Sequence, residues 1–169
     1  MVLQDPEPVL AIEQAAAKLA FQQWKLQYAQ EPKFMSEDGG NEGTESLLVG
    51  KPAPEFELEM LTGGKFRLSG ARGKMVVLDF WATWCGPCLQ TMPQIDRLRR
   101  DFADRDVQIV AINVEEGPEK INPMLERHKL DLPVALDRDG AITARYQVTT
   151  FPQTFIIDAE GKVARHFEG

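Results

Sequence analysis

Hydrophobic and polar positions divide the chain into a helical N-terminal stretch, a stretch without a period, and a run of short alternating elements. Apolar side chains recur at helical spacing over residues 8–29, near one face: Leu10, Ile12, Ala16, Leu19, Ala20, Phe21 and Trp24. Residues 31–47 mix acids with Gly and Ser and show no period, which is typical of a linker. We therefore predict an amphipathic helix within residues 1–30, a flexible acidic linker over 31–47 and a compact domain over 48–169.

The compact part alternates strand patterns with helix patterns. EFELEM and KFRL, separated by LTGG, predict a hairpin, and KMVVLDFWA is the continuous apolar run of a central strand that is buried on both faces. The following segments predict, in order, a helix over 87–102, a second buried strand (DVQIVAINV), a helix (GPEKINPMLERHK), a short strand or extended segment (LPVALD), a helix (DGAITARYQ) and a closing hairpin (QTFIID and GKVARHFE). This order predicts an α/β fold with a central mixed β-sheet, parallel at its centre, antiparallel at an edge and flanked by helices.

Composition and charge narrow the range of functions. The net charge of the 169 residues is −7 and the 19 Lys and Arg residues are scattered, which argues against a nucleic-acid partner. No apolar run reaches the roughly 18 residues that a membrane-spanning helix needs. Acids also interrupt the N-terminal stretch where a signal peptide is apolar. We expect no membrane association encoded in this chain, with a cytoplasmic location and export followed by removal of a targeting segment both left open.

The only two cysteines, Cys85 and Cys88, follow the central apolar run directly. Cys85 lies between a strand and a helix, where unpaired backbone N–H groups and the helix dipole favour a thiolate and lower its pKa below about 8.5. The three-residue spacing places Cys88 on the same helical face, within reach of the Cys85 sulfur. We therefore predict a redox couple in which Cys85 is the nucleophile and Cys88 the resolving thiol.

Other uses of two cysteines fit the sequence less well. A static bridge across so short a loop restricts the unfolded chain little. A zinc site normally takes four ligands, and His128 and His166 show no ligand spacing with the cysteine pair, so we expect no metal. A copper or zinc chaperone that uses the two thiolates is the alternative outside the enzymes, and the metal content of protein purified under reduction tests it.

The segment FWATWCGPC resembles the active site of the thioredoxin superfamily, and the wider pattern is similar to its TlpA/ResA-like branch of extracytoplasmic thiol-disulfide oxidoreductases. GKPAPEFEL, at residues 50–58, is similar to the opening that this branch shares with AhpC/TSA-type peroxiredoxins. Pro93 matches the proline inside the active-site helix, and FPQTFIID matches the segment with a cis-proline, which makes Pro152 that residue. The resemblance covers about residues 48–169 and implies a thioredoxin fold with an N-terminal β-hairpin.

The resemblance also implies roles for individual residues. Asp79 matches the buried aspartate that assists proton transfer at the second cysteine, and burial of a carboxylate raises its pKa toward the working range. Glu116 matches an acid that approaches the cysteines, although its neighbour Glu115 is an alternative and both could simply begin the next helix. An apolar ring for docking an extended substrate, around an exposed sulfur, consists of Trp84, Gly86, Pro87 and Phe151.

The implied activity is reduction of disulfide-containing protein substrates, with no cofactor besides the cysteine couple and with a thioredoxin-type or membrane-borne thiol as electron donor. The Gly–Pro between the cysteines is the dipeptide of thioredoxin and favours the reducing direction. Apocytochrome c, a periplasmic thiol enzyme and misoxidised proteins in general all fit as substrates, and the implied location is extracytoplasmic. A thiol peroxidase is disfavoured, because the peroxiredoxin motif needs Pro and Thr or Ser where this chain has Leu78 and Ala82.

One departure from the family pattern concerns the last element. The thioredoxin fold normally ends in a helix after the closing hairpin, and the sequence shows no such helix before Gly169. We predict that the amphipathic helix at residues 8–29 covers the sheet face which that helix normally covers. The alternative, that the chain is a fragment of a longer protein, stays open.

Overall fold

The computed structural model of the protein describes residues 46–169, so the predicted N-terminal helix and nearly all of the predicted linker lie outside the described residues. The strands are β1 (Glu57–Met60), β2 (Lys65–Arg67), β3 (Met75–Trp81), β4 (Val107–Val114), β5 (Val134–Asp137), β6 (Gln153–Ile157) and β7 (Val163–Glu168). The helices are α1 (Gly86–Asp101), α2 (Pro118–His128) and α3 (Ala141–Arg145), with a 3-10 turn at Leu68–Ala71. No helix in this part of the chain has the length and apolar character to cross a membrane.

The seven strands form one sheet in the order β2-β1-β5-β4-β3-β6-β7. Strands β3, β4 and β5 are parallel, while β6 and β1 flank them in the antiparallel sense. The antiparallel hairpins β1–β2 and β6–β7 form the two edges. The predicted thioredoxin-like α/β fold with a parallel centre is therefore confirmed, with antiparallel pairs at both edges of the sheet.

Strand β3 lies in the middle of the sheet and all seven of its residues are buried. Its side chains alternate between the faces: Val77 and Trp81 belong to the core under α1 and α2, whereas Leu78 and Phe80 belong to the core on the opposite face. Because alternate residues of a strand share a face, Asp79 lies on the α1 side with Trp81. The central strand thus carries a carboxylate into the core beneath the helix that bears the cysteines.

Helix α1 begins directly after Cys85, which caps it, so four residues separate it from the end of β3. Its predicted apolar spacing is confirmed, since Met92, Ile95, Leu98 and Phe102 are all buried. Pro93 lies inside the helix and, lacking an N–H, leaves the turn before it one hydrogen bond short. This arrangement places the first turn of α1, and the cysteines, at the carboxyl end of the central strand.

The third helix is shorter than its sequence pattern predicts. The pattern covers residues 139–147, but α3 spans only Ala141–Arg145. Gly140 and Gln147, at its two ends, both have positive φ angles that end the helical conformation. The carboxylate of Asp137 accepts hydrogen bonds from the first N–H groups of the helix, at 3.2 Å from Ile142 and 2.8 Å from Thr143, and so fixes where it starts.

Candidate functional site

The two cysteines form a disulfide in the structure, with Cα atoms 5.3 Å apart. The Cys88 backbone N–H donates a hydrogen bond to the Cys85 sulfur over 3.2 Å. Cys85 is 4% exposed and Cys88 is fully buried, so only Cys85 is open to an incoming group. The sequence predicted an exposed sulfur. The disulfide is instead nearly covered, because it packs in the same apolar cluster as Trp81 and Met92.

The N-terminus of α1 supplies the electrostatics of the pair. Cys85 is the N-cap residue, Pro87 occupies the first turn, and the first turn contains no acidic residue. The Cys85 sulfur therefore lies at the positive end of the helix dipole with a backbone N–H directed at it. Both features favour the thiolate over the thiol when the pair is reduced.

An apolar rim borders the disulfide. Trp84 is 71% exposed, and its ring meets that of Phe151 edge to face with the centroids 5.8 Å apart. Gly86 and Pro87 are exposed beside it. Phe151 also packs against the cluster that contains both cysteines, so the structure brings together all of the residues that the sequence predicted for docking.

Pro152 follows Phe151 through a cis peptide bond, as the family resemblance predicts. The proline is buried, and its carbonyl accepts a hydrogen bond from the Gly169 N–H over 3.0 Å. Gly169 therefore lies against the segment that carries the Phe151 ring.

The Asp79 carboxylate is fully buried and only half satisfied. One oxygen, Oδ1, accepts a hydrogen bond from the Thr154 hydroxyl over 2.8 Å, whereas Oδ2 has no hydrogen-bond partner among residues 46–169. Burial raises the pKa of Asp79 to about 7, and the Thr154 bond opposes that rise. The predicted direction of the pKa shift is confirmed. A carboxyl group with this pKa can gain or lose a proton near neutral pH.

Two more buried polar atoms on the same face have no partner in the described part of the chain, namely the indole N–H of Trp81 and the Oδ1 of Asn113. The two residues lie opposite each other in the β3–β4 register. Together with Asp79 Oδ2 they place three buried polar atoms on the sheet face that packs against the apolar cluster containing the cysteines. Sequence reasoning missed Asn113, although a lone amide at the end of an apolar strand could have indicated it.

Glu116 is tied to the segment that leads into the cysteines. Its carboxylate accepts the Thr83 N–H over 2.8 Å, the Thr83 hydroxyl over 2.6 Å and the Asn113 amide over 2.9 Å. Burial disfavours its charge, but these hydrogen bonds and the positive Lys120 outweigh burial and lower the pKa of Glu116. The carboxylate is therefore charged at neutral pH.

The structure also separates Glu116 from Glu115, the alternative that the sequence left open. Glu115 is exposed and has a φ of 58°, in the left-handed region. Glu116, the next residue, is buried. Glu116 is the neighbour that accepts hydrogen bonds from the segment before the cysteines. Thr83, which anchors that contact, was not singled out from the sequence, because nothing local distinguishes it from a surface threonine.

Neither histidine lies with the cysteines. His128 is exposed at the end of α2, and His166 lies on the edge strand β7, where its Nε2 is 3.0 Å from Gln153 Oε1. Within residues 46–169, no group of three or more Cys, His, Asp and Glu side chains is arranged to hold a metal ion.

Comparisons with known proteins point to one group. Residues 49–166 match the AhpC/TSA family. The thiol-disulfide oxidoreductase ResA of Bacillus subtilis is 38% identical over 127 residues, which cover 75% of this chain and 71% of ResA. Among solved structures, a candidate thiol:disulfide interchange protein DsbE from Chlorobium tepidum is 35% identical with a TM-score of 0.68, over 73% of this chain and 87% of that protein. A secreted Mycobacterium tuberculosis disulfide oxidoreductase, homologous to Escherichia coli DsbE, is 25% identical with a TM-score of 0.61, over 68% and 83%.

Proposed function

Since this chain belongs to the AhpC/TSA family, and within it to the thioredoxin-like thiol-disulfide oxidoreductases, we propose that it reduces the disulfide bonds of protein substrates through Cys85 and Cys88. The observation that carries the proposal is the position of the Cys85 sulfur. It caps α1, accepts the Cys88 N–H and is the only sulfur of the pair with any exposure. Such a sulfur is an activated nucleophile when reduced.

The reaction proceeds by two exchanges. The Cys85 thiolate attacks one sulfur of the substrate disulfide, which forms a mixed disulfide and releases the first substrate thiolate. The Cys88 thiolate then attacks the Cys85 sulfur, which breaks the mixed disulfide and releases the second substrate thiolate. The substrate has gained two electrons, and the enzyme is left with the Cys85–Cys88 disulfide for a thiol donor to reduce.

Asp79 supplies the base for the second exchange. Cys88 is buried and must lose its proton before it attacks, and Asp79 lies on the same face of β3 as the cluster that holds Cys88. A carboxyl group with a pKa of about 7 accepts and returns a proton without a large penalty in either direction. Oδ2, which has no partner among residues 46–169, is the oxygen available for that exchange.

Glu116 and the apolar rim position the reacting partners. The charged Glu116 holds Thr83, two residues before the nucleophile, and so fixes the path of the segment that carries Trp84. The rim of Trp84, Gly86, Pro87 and Phe151 offers an apolar surface to an unfolded or extended chain. The backbone beside the cis-bonded Pro152 provides an edge for strand pairing with that chain.

The location and the partners are also part of the proposal. The similarity to a secreted disulfide oxidoreductase supports action outside the cytoplasm, with a thioredoxin-type or membrane-borne thiol as donor and with apocytochrome c among the substrates that fit. A membrane-impermeant alkylating reagent added to intact cells tests the location. Labelling of the reduced pair is expected, and protection until the cells are lysed contradicts an extracytoplasmic site.

An equilibrium redox titration of the pair tests the proposed direction. The purified protein is equilibrated in defined thiol-disulfide buffers and its thiol state is read by alkylation, with Cys88→Ser as the matched control that cannot close the disulfide. We expect a reversible two-electron transition near the thioredoxin potential of about −270 mV. A midpoint close to that of an oxidant such as DsbA, about −120 mV, contradicts reduction as the direction, and a pair that never cycles contradicts the proposal as a whole.

A further inference from the structure

Gln153 is a buried polar side chain that the thiol chemistry does not use. It is 4% exposed and directly follows the cis-bonded Pro152 at the start of β6. Its amide Nε2 donates to the Thr150 hydroxyl over 3.2 Å, and its Oε1 lies 3.0 Å from Nε2 of His166. The side chain thus connects the loop before Phe151 to the edge strand β7.

The donor and acceptor roles along this connection agree at every step. The Ser46 N–H donates to Nδ1 of His166 over 3.3 Å, so the neutral ring carries its proton on Nε2 and donates it to Gln153. That contact orients the amide, whose Nε2 then donates to Thr150. The Thr150 hydroxyl in turn donates to the Glu168 carboxylate over 2.5 Å. Four hydrogen bonds therefore run in one direction from residue 46 to residue 168, and such chains strengthen each member.

Most residues of this hydrogen-bond chain belong to the β6–β7 hairpin. Gln153 pairs with Glu168 in the strand register, and Phe155 pairs with His166. The His166 ring also packs on the Phe155 ring, with centroids 4.5 Å apart. Ser46 and Thr150 are the members outside the strands, and the bonds at Thr150 tie its loop to the hairpin.

We propose that Gln153 and His166 are positioning residues for substrate docking: their hydrogen-bond chain holds Thr150, and hence the adjacent Phe151, in place against Trp84. The inference rests on the proposed function, because that function makes this segment the place where a protein substrate binds. Neither residue touches the sulfurs. Loss of these hydrogen bonds therefore weakens the binding of a protein substrate, while the exchange chemistry of Cys85 stays intact.

Single-turnover reduction separates binding from chemistry. The fully reduced protein, freed of dithiothreitol, is mixed with increasing concentrations of insulin as the protein disulfide, and separately with 5,5′-dithiobis(2-nitrobenzoate) as a small disulfide. His166→Phe keeps the ring against Phe155 and loses the Nε2 donor, whereas His166→Gln keeps an amide donor for Gln153. His128→Phe, at the exposed histidine of α2, is the matched control.

We expect His166→Phe to raise the insulin concentration at half-maximal rate about threefold to tenfold, as the loss of a neutral hydrogen bond predicts. The maximal rate and the redox potential stay close to those of the unmodified protein, His166→Gln recovers most of the loss, and His128→Phe shows none. Thr150→Val, at an exposed position, gives the same rise if His166→Phe fails to fold.

An insulin dependence that is unchanged in both His166→Phe and Thr150→Val overturns the inference, as does an equal loss with insulin and with the small disulfide. Failure of the unmodified protein to reduce either disulfide overturns the proposed function instead. The activity of the unmodified protein therefore distinguishes a failure of the proposed function from a failure of the positioning role.

Discussion

Replacing Asp79 with asparagine should stabilise the oxidised protein at alkaline pH and should stabilise it much less in acid. The carboxyl group is fully buried with one oxygen unpartnered within residues 46–169, and burial raises its pKa from 3.8 to about 7. A shift of about three units corresponds to about 4 kcal/mol of free energy that the folded state loses when the group is charged. Asparagine carries no charge to bury.

The sign of the pH dependence follows from proton binding. Between its unfolded pKa of 3.8 and its folded pKa of about 7, Asp79 binds more protons in the folded protein than in the unfolded chain. The unfolding free energy therefore decreases as the pH rises through this window. The contribution of a protonated Asp79 is fully present below pH 4 and is lost above pH 7, so the advantage of Asp79→Asn grows by about 3 kcal/mol from pH 4.5 to pH 8.

Denaturant unfolding of the oxidised proteins at these two pH values measures the difference directly. Burying the asparagine Nδ2 also costs free energy, but this cost is the same at both pH values. It therefore cancels when the stability difference at pH 4.5 is subtracted from that at pH 8. Asp137→Asn is the matched control, because Asp137 is equally buried but uses both oxygens, in bonds to Ile142 and Thr143. It should lose stability at both pH values. If the advantage of Asp79→Asn does not grow with pH, the link between its burial and its proton affinity is wrong.

Three further predictions concern the same site. Thr154→Val removes the hydrogen bond that favours charged Asp79, so the pKa of Asp79 should rise by about one unit or more; carboxyl NMR titration measures it, and an unchanged midpoint contradicts the assigned bond. Glu116→Gln leaves a donor of its network unpaired and should cost about 1 to 3 kcal/mol of unfolding free energy, whereas Glu115→Gln, next to it but exposed, should change little. Cys88→Ala should accumulate the mixed disulfide with a protein substrate on non-reducing gels, and rapid turnover without that species would show that Cys88 does not resolve it.

Local sequence patterns sufficed for the elements that depend on local chemistry. Strand β3 and helix α1 were predicted because a continuous apolar run and a helical apolar spacing each have one stable burial arrangement. Helix α3 came out shorter than predicted because its limits depend on the backbone at Gly140 and Gln147 and on a distant cap from Asp137. Its apolar pattern contains no information on these limits.

The candidate site divides in the same way. Cys85, Cys88 and Asp79 lie in one segment, so their neighbourhood could be read along the chain. Thr154 faces Asp79 only because β6 pairs antiparallel with β3 in a register that joins residues 75 positions apart. The Gln153–His166 contact depends likewise on the register of the β6–β7 hairpin. No periodicity specifies such a register, and hence the partners that tune the acid and support the loop emerge only from the fold.

The hydrogen bond between the Gly169 N–H and the Pro152 carbonyl limits how a guest peptide can align. Under the proposed strand pairing, the Pro152 carbonyl already accepts one hydrogen bond, so we expect a guest peptide to pair with the backbone of Phe151, on the amino side of the proline. In that proposed mode, a guest peptide is aligned by its own disulfide cysteine, and the side chains next to that cysteine lie beside Trp84 and Phe151, whose rings contact each other. Discrimination between guests then depends on the few residues around that cysteine, and a long sequence motif is not required.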